Sequence, residues 1–295
     1  MQKQLLPIYQ IQDFNAQAQK ERYFHQSSLA NHLQEHLFIR EPHKHSFYII
    51  LFITQGTGTH TIDFKEYEVR PDMFFFLTPG QVHSWELSND ADGFVSFFTP
   101  EFYLSRFPHR RLSDFPFFSA QLHQPLLFVS EQEKLALMPT IQALQGEYQG
   151  EQLMRNEMLS CYLDILLIHL TRLFQQHGAA LEAHDRELQL LEELENLVEH
   201  HYKEHAPVTF YAARLNITAK QLNQVCKITL GKTTSELIQE RLMLEAQRLL
   251  VYSELTSSQT AAELGFADIN YFFRFFKKHT GATPEGFRAK SKRKL

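Results

Sequence analysis

Cysteine is scarce in this sequence, with only Cys161 and Cys226 among 295 residues. The two lie far apart and lack the spacing of metal ligands, which argues against a disulfide framework and against a zinc finger. No apolar run reaches the roughly 18 residues that a membrane-spanning helix needs. The opening MQKQLLPIYQIQDFN also lacks the apolar core of a secretory signal. We therefore expect a cytoplasmic protein without a membrane partner.

Charge is unevenly distributed along the chain, whose formal net charge is −5. Residues 206–295 hold 14 Lys and Arg against 7 Asp and Glu, a net charge of +7 that leaves −12 for residues 1–205. Without the four basic residues of the closing KSKRKL, the C-terminal segment still carries +3. A basic module behind an acidic body favours a polyanionic partner, with nucleic acid the first candidate.

The region from about residue 20 to 100 has the pattern of short β-strands. SFYIILFITQGTGTHTIDF and KEYEVRPDMFFFLTPGQVHSWEL are rich in β-branched and aromatic residues, and glycine and proline divide them at intervals of about ten residues. Turn signals at QGTG, RPD and TPG make a helical interpretation poor. This spacing predicts a β-sandwich or a β-barrel.

Two helices are predicted after the strands. Ser130 and Glu133 form a capping box at the start of the first helix, and Pro139 predicts a kink or a break within it. The second runs from Glu151 to Gly178, and its apolar residues are too widely spread for one stripe. Such a helix packs on two sides, so we expect a homodimer formed through helices within 131–177, and the alternative is a well-buried helix of a monomer.

The remainder predicts two helix-turn-helix units. Thr209 and Thr218 are candidate N-caps of two short helices, with Asn216 as the left-handed residue between them. The pattern recurs further on, with a turn at Gly265 and Asp268 as a cap. Between the units, TTSELIQERLMLEAQRLLVYS predicts a helix of about 30 Å. That length is close to one turn of B-DNA, about 34 Å, so two recognition helices can enter successive major grooves.

The sequence AAELGFADINYFFRFFKKHTGATPEGFR resembles the C-terminal signature of AraC/XylS-type transcription regulators, and TAKQLNQVCKITLGKTTSELIQERL resembles the preceding unit. The resemblance covers about 100 residues and implies sequence-specific binding of double-stranded DNA. Ser257 and Thr260 depart from the family pattern, which has apolar residues there. Gln224 stands where an arginine is common, a difference that bears on sequence preference.

Helix periodicity and the resemblance together give the candidate DNA contacts. Lys220 and Gln224 match base-facing positions of the first unit, and glutamine suits adenine while lysine suits guanine. Phe272, Phe275 and Phe276 are expected in the core. The full candidate set is Lys220, Gln221, Asn223, Gln224, Lys227, Ile269, Asn270, Arg274, Lys277 and Lys278. Lys277 and Lys278 are expected at phosphates, and the others at bases or along the groove.

The N-terminal stretch HKHSFYIILFITQGTGTHTIDFKEYEVRPDMFFFLTPGQVHSW resembles the cupin-like sensor domains that precede such modules. In metal-binding cupins an HxH pair is joined by a nearby glutamate and a later histidine. His43, His45 and His83 match the histidines, but Phe47 and the apolar residues after it replace the glutamate. The resemblance therefore favours an organic effector over a metal, and we expect no resident cofactor.

The candidate effector pocket contains Tyr48, Gln55, His83 and Trp85, with His43 and His45 at its mouth. Aromatic rings that carry a polar group suit sugars and aromatic acids. Trp85 matches the position at which the arabinose-binding relative has an aromatic residue against its sugar. For the others, a place in the ordinary barrel core is an equally good interpretation.

The predicted protein is a multi-domain α+β chain. A cupin-like β-barrel with two dimerisation helices spans 1–178, a linker spans 179–188, and an all-α domain with two helix-turn-helix units joined by a linker helix spans 189–295. The expected function is an effector-controlled regulator, an activator that meets RNA polymerase, and not an enzyme. The alternatives are a metal-dependent cupin enzyme or metal sensor that uses His43, His45 and His83, or an adaptor that no longer contacts DNA.

Overall fold

The computed structural model describes residues 7–14, 22–36, 41–119, 125–179 and 185–292. The chain divides into two compact units, with the boundary between Ala180 and Leu181. Each unit has its own buried core. Within the described ranges, no helix combines the length and the apolar character that a membrane span requires.

The described part of the N-terminal unit contains ten strands and four α-helices. The strands are β1 Ile8–Tyr9, β2 Phe24–Ser28, β3 Lys44–His45, β4 Tyr48–Gln55, β5 Gly58–Ile62, β6 Lys65–Val69, β7 Met73–Leu77, β8 His83–Leu87, β9 Asp92–Phe98 and β10 Leu126–Phe128. The helices are α1 Leu29–Glu35, α2 Pro100–Leu104, α3 Glu131–Gln149 and α4 Arg155–Phe174.

Two antiparallel sheets form the body of this unit. The larger has five strands in the order β10-β7-β4-β9-β2, and the smaller has three in the order β6-β5-β8. A parallel pair, β1 with β3, continues into a bridge between His43 and His83 that reaches the smaller sheet. The expected cupin-like barrel is therefore confirmed as two sheets that share one core.

Strand β4 lies at the centre of the larger sheet and is buried on both faces. Ile49, Leu51 and Ile53 join the core shared with the smaller sheet. Ile50 and Phe52 join the core on the opposite face, which α3 and α4 cover. Alternation along one strand thus separates the barrel interior from the helix-covered side.

Helices α3 and α4 confirm the predicted helical middle of the chain, with changes at their ends. The Ser130 and Glu133 capping box is present. The predicted break at Pro139 is absent, because α3 continues through that residue. Helix α4 begins at Arg155 instead of Glu151, and a wider π-helical turn, Gln175–Ala179, follows its end.

The described part of the C-terminal unit is entirely helical. Its α-helices are α5 Asp185–His201, α6 Val208–Arg214, α7 Ala219–Leu230, α8 Thr234–Tyr252, α9 Ser257–Glu263, α10 Ile269–Thr280 and α11 Pro284–Lys292. Both helix-turn-helix units are present, as α6–α7 and α9–α10. Helix α5 begins inside the predicted linker 179–188, whose residues 180–184 lie outside the described residues.

The turns of the two units follow the predicted chemistry. Thr218 and Asp268 cap α7 and α10, and Asn216 adopts the left-handed conformation between α6 and α7. Thr209 does not cap α6, since that helix begins at Val208 with Pro207 in the cap position. Proline at this end costs no hydrogen bond, because the first N–H groups of a helix have no partner within it.

Candidate functional sites

Four buried histidines gather between the sheets of the N-terminal unit. His43, His45 and His83 come together as the sequence predicts, and His60 from the middle of β5 joins them. His45 Nε2 lies 3.1 Å from His83 Nε2, and His60 Nε2 lies 3.2 Å from His83 Nδ1. The rings are therefore linked through His83.

The hydrogen bonds of this cluster determine where its protons lie. His45 Nδ1 must donate to the carbonyl oxygen of Phe47, 2.9 Å away, so His45 Nε2 is an acceptor. His83 Nε2 then donates to His45, which leaves His83 Nδ1 to accept from His60 Nε2. Both nitrogens of His45 and of His83 are satisfied with the rings neutral, whereas the buried His60 Nδ1 has no hydrogen-bond partner among the described residues.

Burial keeps these histidines neutral. It lowers the pKa of His43 to about 4 and that of His45 to about 3. Burial, together with the neighbouring histidines, lowers the pKa of His60 and His83 well below the ordinary value. A low-dielectric site disfavours the charged ring, and a second charge nearby disfavours it further.

The same geometry bears on the metal alternative. His83 presents a different nitrogen to each neighbour, so the rings bond as a chain instead of converging on one point. Among the described residues, no group of three or more His, Cys, Asp or Glu side chains has the geometry to hold a metal ion. The residues after β3 remain apolar, with Phe47 and Ile49 buried. The site does not fit the metal-binding arrangement.

Tyr48 and Gln55 lie apart from the other effector-pocket candidates. Tyr48 lies on the helix-covered side of β4, where it stacks on Phe98 and meets the edge of Phe118. Gln55 ends β4 and is exposed. The predicted grouping of these two residues with His83 and Trp85 is therefore corrected. The physical reason for Tyr48 is strand alternation, which directs neighbouring residues to opposite faces.

An open cleft of about 660 Å³ lies beside the histidine cluster. Trp85 lines it, and so does Glu41, whose carbonyl oxygen accepts a hydrogen bond from His43 Nδ1 at 2.8 Å. The complete lining is Ala30, Leu33, Gln34, Glu41, Trp85, Glu86, Leu87, Ser88, Asn89 and Ala91. Of the predicted pocket residues, only Trp85 reaches this cleft.

The first recognition helix, α7, presents part of its candidate set to solvent. Lys220, Gln224 and Lys227 are exposed, while Leu222 and Cys226 are buried. Positions 220, 224 and 227 share one helix face because they are separated by four and three residues. This face is available to DNA.

Two further candidates on α7 hold the fold together. Gln221 Oε1 accepts from the backbone N–H of Thr218 at 2.9 Å and from its hydroxyl at 2.8 Å. Asn223 Oδ1 accepts from the backbone N–H of Thr234 at 3.0 Å and so fixes the start of α8. With their oxygens engaged, neither amide can make the bidentate contact with adenine that free Asn or Gln offers.

The second recognition helix, α10, separates its core residues from its candidate contacts. Phe272, Phe275 and Phe276 are buried, as predicted. The other candidates on this helix are all exposed; they are Ile269, Asn270, Arg274, Lys277 and Lys278. Arg274 is 74% exposed, and its only ion-pair contact in the described chain is a loose one of 4.0 Å to Asp268. Its guanidinium is therefore free to find a stronger partner.

Comparisons with known proteins agree with this architecture. The model of the AraC-like ligand binding domain matches residues 24–126, and that of a helix-turn-helix domain matches residues 211–290. The chain belongs to the AraC family of transcription regulators. Its match to the ligand-binding model covers the two sheets up to the first residue of β10, and its match to the DNA-binding model runs from within α6 through the second helix-turn-helix unit.

The AraC-family chain is similar in sequence to other bacterial transcription regulators. It is 24% identical over 248 residues to the HTH-type transcriptional activator RhaR of Cronobacter sakazakii. That alignment covers 83% of this chain and 86% of RhaR. It is 24% identical to the uncharacterized regulator YfiF of Bacillus subtilis, over 84% and 78% of the two chains. Both alignments span the two units.

Two solved structures are similar to the AraC-family chain. ToxT of Vibrio cholerae aligns over 90% of this chain and 98% of its own, at 14% identity and a TM-score of 0.44. The C-terminal domain of the response regulator yesN of Fusobacterium nucleatum aligns over 34% and 98%, at 27% identity and a TM-score of 0.33.

Sequence reasoning missed several residues of these sites in the AraC-family chain. His60 stands alone in GTHTI, and only the alternation of β5 indicates that it faces inward with Ile62. Glu41, Gln34 and Glu86 reach the cleft from three separate segments, for which the sequence holds no signal. Tyr271 on α10 is 54% exposed beside the candidate DNA contacts, and it was not among the predicted residues.

Proposed function

We propose that this protein binds specific DNA sites with α7 and α10 and regulates transcription in response to a small organic effector. The observation that carries the proposal is the repeated helix-turn-helix unit with an exposed polar face on each recognition helix. In such units the second helix enters the major groove. The basic balance of residues 206–295 supplies the attraction to phosphates.

Helix α8 supports the use of both units on one DNA face. Its 19 residues span about 28 Å at about 1.5 Å per residue. Buried Leu242, Ala246 and Leu250 attach it to the domain core along its length, so it acts as a rigid spacer. Recognition helices held at this separation suit two successive major grooves.

Within this proposal, the exposed side chains divide by role. Arg274 on α10 and Lys220 with Gln224 on α7 contact base edges, while Lys277 and Lys278 hold phosphates. Arginine and lysine suit guanine, and a free glutamine suits adenine. Phosphate contacts position the protein without selecting sequence. Lys227, Ile269 and Asn270 line the groove. DNA contact by Gln221 and Asn223 stays a prediction. Only their amide nitrogens can make it, because their oxygens accept hydrogen bonds within the domain.

The N-terminal unit is proposed to bind the effector and to form the homodimer. The open cleft at Trp85 is its effector site. Met158 and Ile165 on α4 are 39% and 41% exposed, an apolar face that suits a second copy of the chain. Residues 1–178 then form the effector and dimerisation domain, 179–188 the connection, and 189–295 the DNA-binding domain. Effector binding shifts the populations of two states that differ in DNA affinity.

The cellular role follows from the relatives named activators. We propose that the protein acts in the cytoplasm, activates transcription and meets RNA polymerase at its target promoter. The proposal includes no catalytic step. His43, His45 and His83 are assigned to the barrel interior, where they support the cleft through the Glu41 carbonyl and the ring of Trp85.

The test is an electrophoretic mobility shift with DNA from the region upstream of the protein's own gene. A complex that survives excess unrelated DNA and weakens with salt supports the proposal. Thermal-shift screening with sugars, aromatic acids and amines then finds compounds that change the affinity for DNA. If no site-specific complex forms with or without any stabilising compound, the proposed function is wrong.

A further inference from the structure

The two recognition helices are built on the same plan. Helices α7 and α10 each contain 12 residues, begin after a side chain that caps the N-terminus and end at a glycine in the left-handed conformation. Residues at equal places in the two helices can therefore be compared directly. Arg274 of α10 corresponds to Gln224 of α7, and Lys277 corresponds to Lys227.

The third residue of each helix differs in what its side chain does. In α7 it is Gln221, whose Oε1 accepts hydrogen bonds from Thr218 and completes a capping box. In α10 the cap is Asp268, which accepts from the backbone N–H of the second residue, Asn270, at 2.8 Å. The side chain of the third residue, Tyr271, takes no part in this cap. It is therefore available for another contact.

Tyr271 presents an aromatic ring to solvent from a firm base. The residue is 54% exposed, and its hydroxyl forms no hydrogen bond with the described residues. Its ring centroid lies 5.9 Å from that of Phe266, at an angle of 50°. Phe266 is 7% exposed and packs against Phe272 and Phe275 in the core. The core thus supports the Tyr271 ring on one side and leaves the rest of it accessible.

The place of Tyr271 on α10 puts it beside the proposed DNA contacts. Arg274 follows it by three positions and Lys278 by seven, so the three side chains share one side of the helix. The N-terminal residues of a recognition helix are the ones that contact base edges in the major groove. A large aromatic ring at the third position is therefore within reach of a base.

We propose that Tyr271 determines part of the sequence preference by packing its ring against the 5-methyl group of a thymine, next to the base pair that Arg274 contacts. This methyl is the apolar group that an A·T pair presents in the major groove, and apolar side chains recognise it. The contact uses the ring and does not require the hydroxyl. The inference rests on the proposed function, because it adds a residue and a base to the contacts of α10.

The test replaces thymine by deoxyuridine, which lacks only the methyl group. Each thymine of the specific site is replaced in turn, and fluorescence anisotropy measures the affinity of the full-length protein. One replacement within the DNA that α10 protects should weaken binding about fourfold, the effect of about one buried carbon. Tyr271→Phe should keep both the affinity and this sensitivity. Tyr271→Ala should bind the thymine and deoxyuridine sites equally well.

Two further variants serve as controls. Tyr271→Gln gives α10 the residue that α7 has at this place, which suits a helix N-terminus, and it should also bind both sites equally. Tyr23→Ala removes a tyrosine of similar exposure, 55%, from the N-terminal unit, and it should leave the affinity and the sensitivity unchanged.

Three outcomes overturn the inference: no thymine whose replacement weakens wild-type binding, a sensitivity that persists in Tyr271→Ala and Tyr271→Gln, or a loss in Tyr271→Phe as large as that in Tyr271→Ala. The last would assign the contact to the hydroxyl instead of the ring. A wild-type protein that binds its site but ignores the methyl groups contradicts only the inference. One that forms no site-specific complex contradicts the proposed function.

Discussion

At the scale of single residues, Arg274 is the side chain from which we expect the largest effect on DNA recognition. Arg274→Ala should weaken binding to the specific site by about 1–3 kcal/mol and relax selectivity at one base pair, because a bidentate contact with guanine is lost. Lys277→Ala should weaken binding to all sequences. It should also reduce the slope of log affinity against log salt concentration by about 1. Fluorescence anisotropy titrations with the specific site and single-base variants measure both effects.

The control for these substitutions is Lys65→Ala, which removes an exposed cation from β6 in the other unit. It should leave the affinity and its salt dependence unchanged. Equal losses of affinity for specific and unrelated DNA in Arg274→Ala would show that this arginine contacts a phosphate instead of a base.

Thr260 tests how the departure from the family pattern affects stability. Its side chain is 0% exposed, and its hydroxyl has no hydrogen-bond partner among the described residues. Thr260→Val replaces that hydroxyl with a methyl group of similar size. The free energy of unfolding should therefore stay unchanged or rise by about 1 kcal/mol. Urea unfolding followed by circular dichroism measures it, with the exposed Ser258→Ala on the same helix as the control. A clear loss of stability in Thr260→Val would contradict this.

The sequence predicted most turn and cap residues correctly, but it predicted the residues of the effector pocket poorly. The caps Thr218 and Asp268 and the left-handed Asn216 follow from local chemistry, which a sequence displays directly. The prediction for Tyr48 was wrong because strand alternation continues from His45 through Phe47 into β4. Tyr48 therefore faces the helix-covered side of the sheet instead of the histidine cluster. The cleft joins segments distant in sequence, and no local signal reports that.

At the scale of elements, the histidine-linked strands should make the N-terminal unit sensitive to acid. Burial lowers the pKa of His43 to about 4 from an ordinary value of 6.5, and other buried histidines shift in the same direction. The unfolded chain therefore binds more protons on acidification, and stability falls as the pH drops from about 6.5 toward 4. Each buried histidine contributes up to about 1.4 kcal/mol per pH unit within that window.

Urea unfolding followed by Trp85 fluorescence at several pH values measures this slope for the unit that contains the cluster. His60→Phe should reduce the slope, since it removes one buried imidazole and keeps an aromatic ring against Trp85. The exposed His109→Gln, whose ring lies outside the cluster, should keep the slope unchanged. A stability that is flat between pH 6.5 and 4 would contradict the neutral hydrogen-bonded chain.

The ends of helices could be predicted where a capping residue defines them, but not where packing determines how far a helix continues. Helix α3 continues through Pro139 although proline removes a hydrogen bond to the residue four positions earlier. That residue, Leu135, is 64% exposed, so water can satisfy the freed carbonyl. Sequence alone identifies the proline but does not show which side of the helix it interrupts.

At the scale of the whole molecule, the apolar face of α4 should hold two copies together. Ile165→Glu places a charge on that face and should convert the proposed dimer to a monomer, because burying an unpaired carboxylate is costly. Sedimentation equilibrium at several concentrations measures the mass. Ile228→Glu on α7 is the matched control, since Ile228 is also an exposed isoleucine but lies in the other unit. A mass unaffected by Ile165→Glu would contradict the proposed interface.

The division of the chain into two units is visible in the distribution of its charge. The acidic and basic parts differ by composition, and the structural boundary falls between Ala180 and Leu181. Both DNA-reading units were predictable because their function requires a fixed turn chemistry and a fixed spacer. The effector was not, since a ligand is recognised by surfaces that only the folded chain assembles.

Hydroxyl-radical footprinting of the full-length protein on its upstream DNA tests the central claim most directly. We predict two protected patches on one face of the duplex, separated by about 10 base pairs, as two recognition helices one DNA turn apart require. In the Arg274→Ala variant, the patch protected by α10 should disappear before the patch protected by α7. A single patch, protection without sequence preference, or protection unchanged in Arg274→Ala would contradict the claim that α7 and α10 read DNA together.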